Sequence, residues 1–188
     1  MVGLAGCAGN PASDQPQQPK ANAEWRSSLG EASYATLAAG ETRRFRITPE
    51  LQTFGFPEGI SYFVGVTLAA SDASRTLTVR TFPMDPMWRT RTHVFVPRVA
   101  IVAPDGKVSR YVELEFYPST ERLSRRFLPS EPGWQASVTL GPGESRLAIY
   151  TATLLQQTLR LREIGEAGDY WYVPSGPTGV IEVSLNAN

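Results

Sequence analysis

The chain has 188 residues, of which 41% are hydrophobic and 19% are charged. This composition is typical of one globular domain with a short tail, and it excludes a chain that is disordered throughout. Lys plus Arg and Asp plus Glu number 18 each, so no net charge attracts a polyanion and nucleic acid is not an expected partner.

The first residues contain a short motif that predicts an address in the cell envelope. Leu4-Ala5-Gly6-Cys7 resembles the lipobox of bacterial lipoproteins, in which small residues precede a cysteine whose thiol carries the lipid. We therefore predict lipid attachment at Cys7, with the membrane as a partner through this anchor. Because Ala8 rather than an aspartate follows, the expected location is the periplasm, anchored to the outer membrane. The basic and apolar regions of a signal peptide do not precede the motif, so a chance cysteine near the start is the alternative.

The chain divides into three parts. Residues 1–7 are interpreted as the remnant of a signal and lipobox. Residues 8–30 are rich in Pro and Gln, which predicts a flexible tether. Residues 31–188 are predicted to form one β-sandwich domain.

Alternating apolar and polar residues predict many short strands in this domain. The strands are expected at 43–48, 60–70, 76–79, 99–102, 108–116, 136–140, 147–151 and 180–185. Asp105-Gly106 predicts a tight turn between two of them, because such a turn requires positive φ. Pro97 is expected to mark an edge or a bulge, since it cannot donate to a strand ladder.

Only two segments have a helical pattern. Residues 119–123 could form a short turn, and 154–164 has leucines at helical spacing before Gly165. Many short strands, Gly/Pro turns and at most one or two short helices predict an all-β fold. The expected architecture is an antiparallel β-sandwich that is jelly-roll-like.

An ordered series of motifs from residue 34 onward resembles the maltose operon periplasmic protein (MalM) family. Val94-Phe95-Val96-Pro97-Arg98-Val99-Ala100-Ile101-Val102 is similar to the family's Val-Phe-x-Pro-x-Val-x-Ile-Leu strand. The other matching segments are 37–41, 116–118, 121–123, 146–152, 156–158 and 180–183. The resemblance implies a secreted, non-catalytic accessory to carbohydrate uptake or binding of the maltodextrin type, with a glycan as partner. The tether of this chain departs from the family pattern.

A second, shorter motif points to a related kind of module. Leu37-x-x-Gly40-Glu41-x-x-x-Phe45 is similar to the opening of the small β-sandwiches that follow secreted peptidases. This resemblance again implies a binding or accessory module.

Residues suited to catalysis are sparse. His93 is the only histidine and Cys7 the only cysteine, which excludes an internal disulfide and a Cys/His metal site. No Gly-x-Ser-x-Gly elbow accompanies His93, so a loop or strand-end histidine is favoured over a catalytic triad. Glu113 and Glu115 could act as a glycosidase pair, but a solvated strand face is the favoured interpretation. We predict no enzymatic activity, no cofactor and no metal.

Aromatic residues provide the predicted binding site. Tyr170, Trp171 and Tyr172 follow Asp169 and precede a segment rich in Pro and Gly, so a loop would expose flat rings beside a carboxylate. Such rings pack on the apolar faces of sugars while polar groups bond the hydroxyls. Trp88 is a second candidate. The alternative is that these rings plug the ends of the sandwich.

An alternative function is a structural or interaction module that docks to an envelope protein complex or to the cell wall. Exposed strand edges and an arginine-rich surface would provide the contacts. The arginines in question are Arg89, Arg91, Arg122, Arg125 and Arg126.

Overall fold

The computed structural model describes residues 18–84, 92–118, 133–152, 158–162 and 170–186. These residues form thirteen β-strands and a short 3₁₀ turn, Leu29–Glu31, and no α-helix lies among them. The strands are β1 Tyr34–Leu37, β2 Thr42–Ile47, β3 Thr53–Phe56, β4 Gly59–Leu68, β5 Arg75–Phe82, β6 Pro97–Val102, β7 Val108–Val112, β8 Tyr117–Pro118, β9 Trp134–Leu140, β10 Arg146–Thr151, β11 Thr158–Arg162, β12 Tyr170–Pro174 and β13 Gly179–Leu185.

The strands form two sheets that pack as a sandwich. Sheet I has the order β1-β4-β10-β6-β7, with β3 also beside β4, and sheet II has the order β2-β13-β5-β9-β8. Strands β11 and β12 pair with each other as a separate ribbon. The predicted all-β, jelly-roll-like sandwich is therefore confirmed. One pair departs from the predicted antiparallel arrangement, because β1 runs parallel to β4.

The core lies between the inner faces of the two sheets, where the sequence alternation placed it. Ile181, Val183 and Leu185 of β13 are buried, while the residues between them are partly exposed. They share one cluster with Ile101 and Ile149 of sheet I. Burial of this apolar surface contributes about 25 cal/mol per Å² and drives the packing of the sheets.

The turn that crosses from β1 to β2 explains the Leu-x-x-Gly-Glu-x-x-x-Phe motif. Leu37 and Phe45 pack in the core. Gly40 has a φ of 73°, a left-handed conformation that favours glycine. The Glu41 carboxylate accepts a hydrogen bond from the Ala38 N–H at 2.8 Å. Each fixed position of the motif thus has a role in the turn or the core.

Residues 18–33, most of which were predicted to be a tether, are folded onto the domain. We call them the N-terminal segment. The Arg26 N–H donates to the Thr53 carbonyl at 2.9 Å, and the Thr53 N–H donates to the Glu24 carbonyl at 3.1 Å. Leu29 is 1% exposed and packs on the outer face of sheet I. The domain therefore begins before residue 31, while residues 1–17 lie outside the described residues.

A row of small residues across sheet I makes room for this segment. Gly65, Ala148 and Ala100 are in register on β4, β10 and β6. A Cβ at Gly65 would lie 2.5 Å from the Ser33 carbonyl oxygen, so a larger residue would push the segment away. Because the segment covers the outer face, β10 is buried on both sides from Leu147 to Thr151, which is uncommon for an antiparallel sandwich.

The helix predicted for 154–164 is wrong where the structure describes it. Residues 158–162 form β11, which pairs with β12. Leu159 and Leu161 fit a period of two as well as a helical spacing, and pairing with a neighbouring strand selects the extended form. The rest of 154–164 and the predicted turn at 119–123 lie outside the described residues.

Two predictions about strand limits also need correction. Pro97 does not mark an edge, because β6 lies between β10 and β7 in sheet I. The proline is tolerated as the first residue of the strand. The predicted strand 108–116 ends at Val112, and the chain then crosses to sheet II, where β8 pairs with β9. No helix among the described residues is long and apolar enough to cross a membrane.

Candidate functional site

The predicted aromatic site is described only in part. Asp169 and Trp88 lie outside the described residues, as do the five arginines predicted for a docking surface and the lipid-attachment residue Cys7. Tyr170, Trp171 and Tyr172 belong to strand β12, so their predicted placement in a loop is wrong. Extended pairing with β11 accounts for this, since β12 continues without a break to Pro174.

Tyr172 is the most exposed large apolar residue in the described part of the chain, at 63%. The next residue, Val173, is buried and packs with Trp134 and Val94. One face of β12 is thus held against a small apolar cluster while Tyr172 is open to solvent. Trp134 is fully buried in this cluster.

The polar residues considered for catalysis lie in different places. The His93 Nε2 atom is 3.2 Å from the Thr178 Oγ1 atom, and no carboxylate in the described ranges bonds to this ring. Glu113 accepts a hydrogen bond from Arg98 at 2.7 Å, and Glu115 accepts one from a tyrosine hydroxyl at 2.9 Å. The two glutamates therefore do not share a partner. Within the described ranges, no group of three or more His, Cys, Asp or Glu side chains could hold a metal ion.

A cleft opens on the side of the sandwich where β1 and β2 form the edges of the two sheets. Its volume is about 510 Å³, which is within the range of pockets that hold small ligands. We call it the lateral cleft. Its lining includes both apolar and polar side chains. Among them are the apolar residues Phe45, Leu51 and Val64 and the polar residues Arg46, Glu50 and Gln52. Sequence analysis missed this cleft because its lining comes from segments that are far apart in the chain.

Gln52 fixes one wall of the lateral cleft. Strands β3 and β1 pair with successive parts of β4, and the Gln52 side chain fills the gap between them. Its Nε2 donates to the Ser33 carbonyl, and its Oε1 accepts from the Ser33 N–H, both at 2.9 Å. The Phe63 N–H donates to the Gln52 carbonyl at 3.1 Å. These bonds take the place of a strand ladder.

Charged side chains at the lateral cleft have polar partners. Arg26 and Glu24 form an ion pair at 2.6 Å, and both line the cleft. A hydrogen bond from the Thr48 hydroxyl holds the pKa of Glu50 below its ordinary value. The cleft therefore presents charges and an apolar floor together.

Tyr34 closes another part of the cleft wall. Its hydroxyl donates to the Leu29 carbonyl at 2.7 Å, which ties the N-terminal segment to β1. Burial raises the pKa of Tyr34, and the charge of Arg146 acts in the opposite direction. The ring therefore stays neutral at physiological pH.

A pair of stacked rings and a hydrogen-bond network lie on the outer face of sheet I. The rings of Phe56 and Tyr150 stack with centroids 3.7 Å apart and planes 4° apart. The Tyr150 hydroxyl donates to Glu58 at 3.1 Å, and Arg98 donates to Glu58 at 2.8 Å and to Glu113 at 2.7 Å. Burial is the main reason that the pKa of Tyr150 is raised, and the charge of Glu58 adds to it. This network clasps the β3–β4 turn onto the sheet.

Comparisons with known proteins give little that bears on function. No family model matches the sequence, and no curated protein matches it. Among solved structures, the chain is similar to the pre-peptidase C-terminal domain of collagenase from Bacillus anthracis. The TM-score is 0.34 and the identity 8%, over 82% of this chain and 95% of that domain. No function is taken from this neighbour, and the resemblance to the MalM family stays a prediction.

Proposed function

We propose that this chain is a non-catalytic lipoprotein of a bacterial envelope that binds a glycan in the lateral cleft, as an accessory to carbohydrate uptake. The observation that supports this most is the composition of the cleft. About 510 Å³ of space is bounded by an apolar floor and a polar rim, and such a mixture is general for small-molecule sites.

The chemistry of the cleft suits a sugar. Phe45 and Leu51 offer apolar surface to the CH faces of a pyranose ring. Arg46 and Glu50 on the rim can donate to and accept from its hydroxyls. Gln52 has both ends of its amide engaged with Ser33, so it shapes the wall and leaves ligand contacts to the rim.

The state of the cleft carboxylates favours binding over hydrolysis. A glycosidase needs one carboxylic acid whose pKa is raised, so that it can protonate the leaving group. The pKa of Glu50 is instead lowered by the Thr48 hydroxyl, and Glu24 is engaged by Arg26 at 2.6 Å. The carboxylates of Glu24 and Glu50 are therefore better suited to accept hydrogen bonds from a sugar than to donate a proton to it.

Isothermal titration with the full chain tests the proposal. The probes are maltoheptaose and a panel of other oligosaccharides, and reducing-end release is followed in parallel. We expect binding without hydrolysis. Arg46→Ala and Glu50→Ala should each weaken binding by about tenfold, the effect of losing one charge-assisted hydrogen bond.

A matched control addresses the aromatic site predicted from sequence. Tyr172→Ala removes an exposed ring on β12, and we expect it to leave the affinity unchanged. If Tyr172→Ala abolishes binding while the cleft variants bind normally, the glycan binds at β12 and the assignment of the site to the lateral cleft is wrong. Absence of binding to every oligosaccharide contradicts the proposed function, and release of reducing ends contradicts a non-catalytic role.

The second candidate function is docking to an envelope protein complex or the cell wall. The observation that favours it is β7, which pairs only with β6 among the described strands. Its Tyr111 is 46% exposed, and a free strand edge can pair with another chain. A photo-crosslinking residue at position 111, used in native membranes, is expected to capture a defined partner if this function is right. Recovery of the bait alone contradicts it.

A further inference from the structure

We propose that the lateral cleft selects an acidic glycan, in which the sugar carries a carboxylate or a phosphate group. This inference rests on the proposed function and narrows its ligand. It comes from the distribution of arginine side chains around the cleft, in a chain that has equal numbers of acidic and basic residues.

Two arginines line the cleft, as do two glutamates, and two further arginines lie beside its wall. Arg26 and Arg46 line it, together with Glu24 and Glu50. Two further arginines lie over aromatic rings of its wall. The Arg43 guanidinium carbon is 5.5 Å from the centroid of Phe45. The Arg146 guanidinium carbon is 5.8 Å from the centroid of Tyr34.

Three of these arginines have no carboxylate partner within the described part of the chain. Arg26 forms an ion pair with Glu24, whereas none of Arg43, Arg46 and Arg146 forms an ion pair with a residue that the structure describes. Glu50 also forms no ion pair with a described residue, so these cleft groups leave three positive charges and one negative charge unpaired. An anionic ligand would supply the missing partner.

Arginines elsewhere in the described sandwich show the contrast. Arg80, Arg98 and Arg110 each form an ion pair with a glutamate, at 3.2, 2.8 and 2.7 Å. Arg75 donates to two backbone carbonyls, at 2.6 and 2.9 Å. Each of these arginines is thus engaged by an oxygen acceptor, and Arg43 beside the cleft also donates to the Thr36 carbonyl, at 3.3 Å. The contrast therefore rests on Arg46, which is exposed on the cleft rim.

The choice of arginine indicates the kind of anion. A guanidinium presents a planar fork that matches carboxylate and phosphate oxygens two at a time. Arg43 and Arg146 rest on aromatic rings, and this contact limits their freedom, so less entropy is lost when an anion binds. Neutral maltodextrins carry no carboxylate or phosphate that could accept two hydrogen bonds from one guanidinium.

Titration of the full chain with three probes of similar length tests the inference. They are maltotriose, trigalacturonic acid and a phosphorylated maltotriose, which separate a neutral sugar from the two acidic types. At about 20 mM NaCl we expect an acidic probe to bind at least about tenfold more tightly than maltotriose. The advantage should shrink at about 300 mM NaCl, because salt screens exposed charges. The acidic probe that binds more tightly identifies the group.

Substitutions separate the contribution of the arginine charge from that of the planar guanidinium geometry. Arg46→Gln and Arg43→Gln should each reduce the affinity for the acidic probe by about tenfold, while Arg46→Lys should recover only part of the loss. Lys107→Gln is the matched control, since its side chain is 85% exposed on the β6–β7 turn. Circular dichroism melting checks that every variant is folded.

The outcomes distinguish this inference from the function on which it rests. If maltotriose binds as tightly as both acidic probes, with no dependence on salt, acidic selectivity is wrong and glycan binding stands. If Arg43→Gln, Arg46→Gln and Lys107→Gln have equal effects, the arginines do not recognise the ligand. If no probe binds, both the inference and the proposed function fail.

Discussion

Gly106 in the β6–β7 turn and Gly30 in the N-terminal segment meet with no room for a side chain between them. A Cβ at Gly106 would lie 2.7 Å from the Gly30 Cα atom. Gly106 also has a φ of 83°, as its place in a tight turn requires. The N-terminal segment is therefore locked to the same hairpin that the sequence identifies most clearly.

We expect Gly106→Ala to destabilise the protein more than Gly143→Ala. Both glycines have positive φ, at 83° and 77°, so both pay about 1–2 kcal/mol for the left-handed conformation. Nothing lies within 4 Å of a Cβ at Gly143, whereas at Gly106 overpacking adds about 1–3 kcal/mol. Urea unfolding measures the difference. Equal losses for the two variants would show that the contact with Gly30 does not form.

Gln52→Ala should cost about 1–3 kcal/mol of unfolding free energy. The substitution removes the two 2.9 Å bonds that the amide makes to the N–H and carbonyl of Ser33, and each such bond contributes about 0.5–1.5 kcal/mol net. Gln135→Ala on β9 is the matched control, because that side chain is exposed. Chemical denaturation of both variants is the measurement, and a loss at Gln135 as large as at Gln52 contradicts the role given to the amide.

The sequence predicted the fold well where one face of a strand is buried. Ile181 and Val183 of β13 alternate with polar residues, and both are buried as predicted. The strand at 147–151 was predicted as well, but the burial of both of its faces, as at Tyr150, was not, because continuous apolar residues carry no period that assigns one face to solvent. The cleft escaped prediction for another reason. Arg46 of β2 and Glu50 after it line the same cleft as Val64 of β4 because the two sheets pack against each other, and no local sequence pattern records that packing.

The bond between Arg110 and Glu144 should make a small, pH-dependent contribution to stability. Arg110 donates twice to this carboxylate, at 2.8 and 2.7 Å, which lowers the pKa of Glu144. A lowered folded-state pKa gives stability that is present above the unfolded value, here 4.5, and is lost as the pH falls.

The variant Glu144→Gln tests this linkage. Because the Arg110 side chain is 42% exposed, we expect a loss of only about 0.5–1 kcal/mol at pH 7. The loss should fade below about pH 4, where the wild-type carboxylate is protonated as well. Urea midpoints from pH 3 to 8 give the profile. Lys107→Gln, which removes a more exposed charge, should lie on the wild-type curve, and a pH-independent effect of Glu144→Gln contradicts the ion pair.

Cys7→Ser tests the anchor. If the thiol carries lipid, the variant should lose labelling by radioactive palmitate and move from the membrane fraction to the soluble fraction, when the gene is expressed with its own upstream region. A multiply acylated cysteine anchors stably, since each buried methylene contributes about 0.8 kcal/mol. Ser13→Ala in the same polar segment is the control. Membrane association that survives in Cys7→Ser contradicts lipid attachment at this residue.

Alkaline pH should destabilise the outer face of sheet I through Tyr150. Its folded-state pKa is raised above the ordinary value of 10.0, first by burial and then by the charge of Glu58. A raised folded-state pKa gives stability that is complete below pH 10 and is lost as the pH rises beyond it.

Tyr150→Phe should therefore flatten the fall in urea midpoint between about pH 9 and 11.5. At pH 7 it should cost about 1–2 kcal/mol for the bond to Glu58. Glu58→Gln removes the charge but keeps burial, so it should lessen the alkaline fall without abolishing it. An alkaline profile that is the same in all three proteins would show that Tyr150 ionises as freely in the folded chain as in the unfolded one.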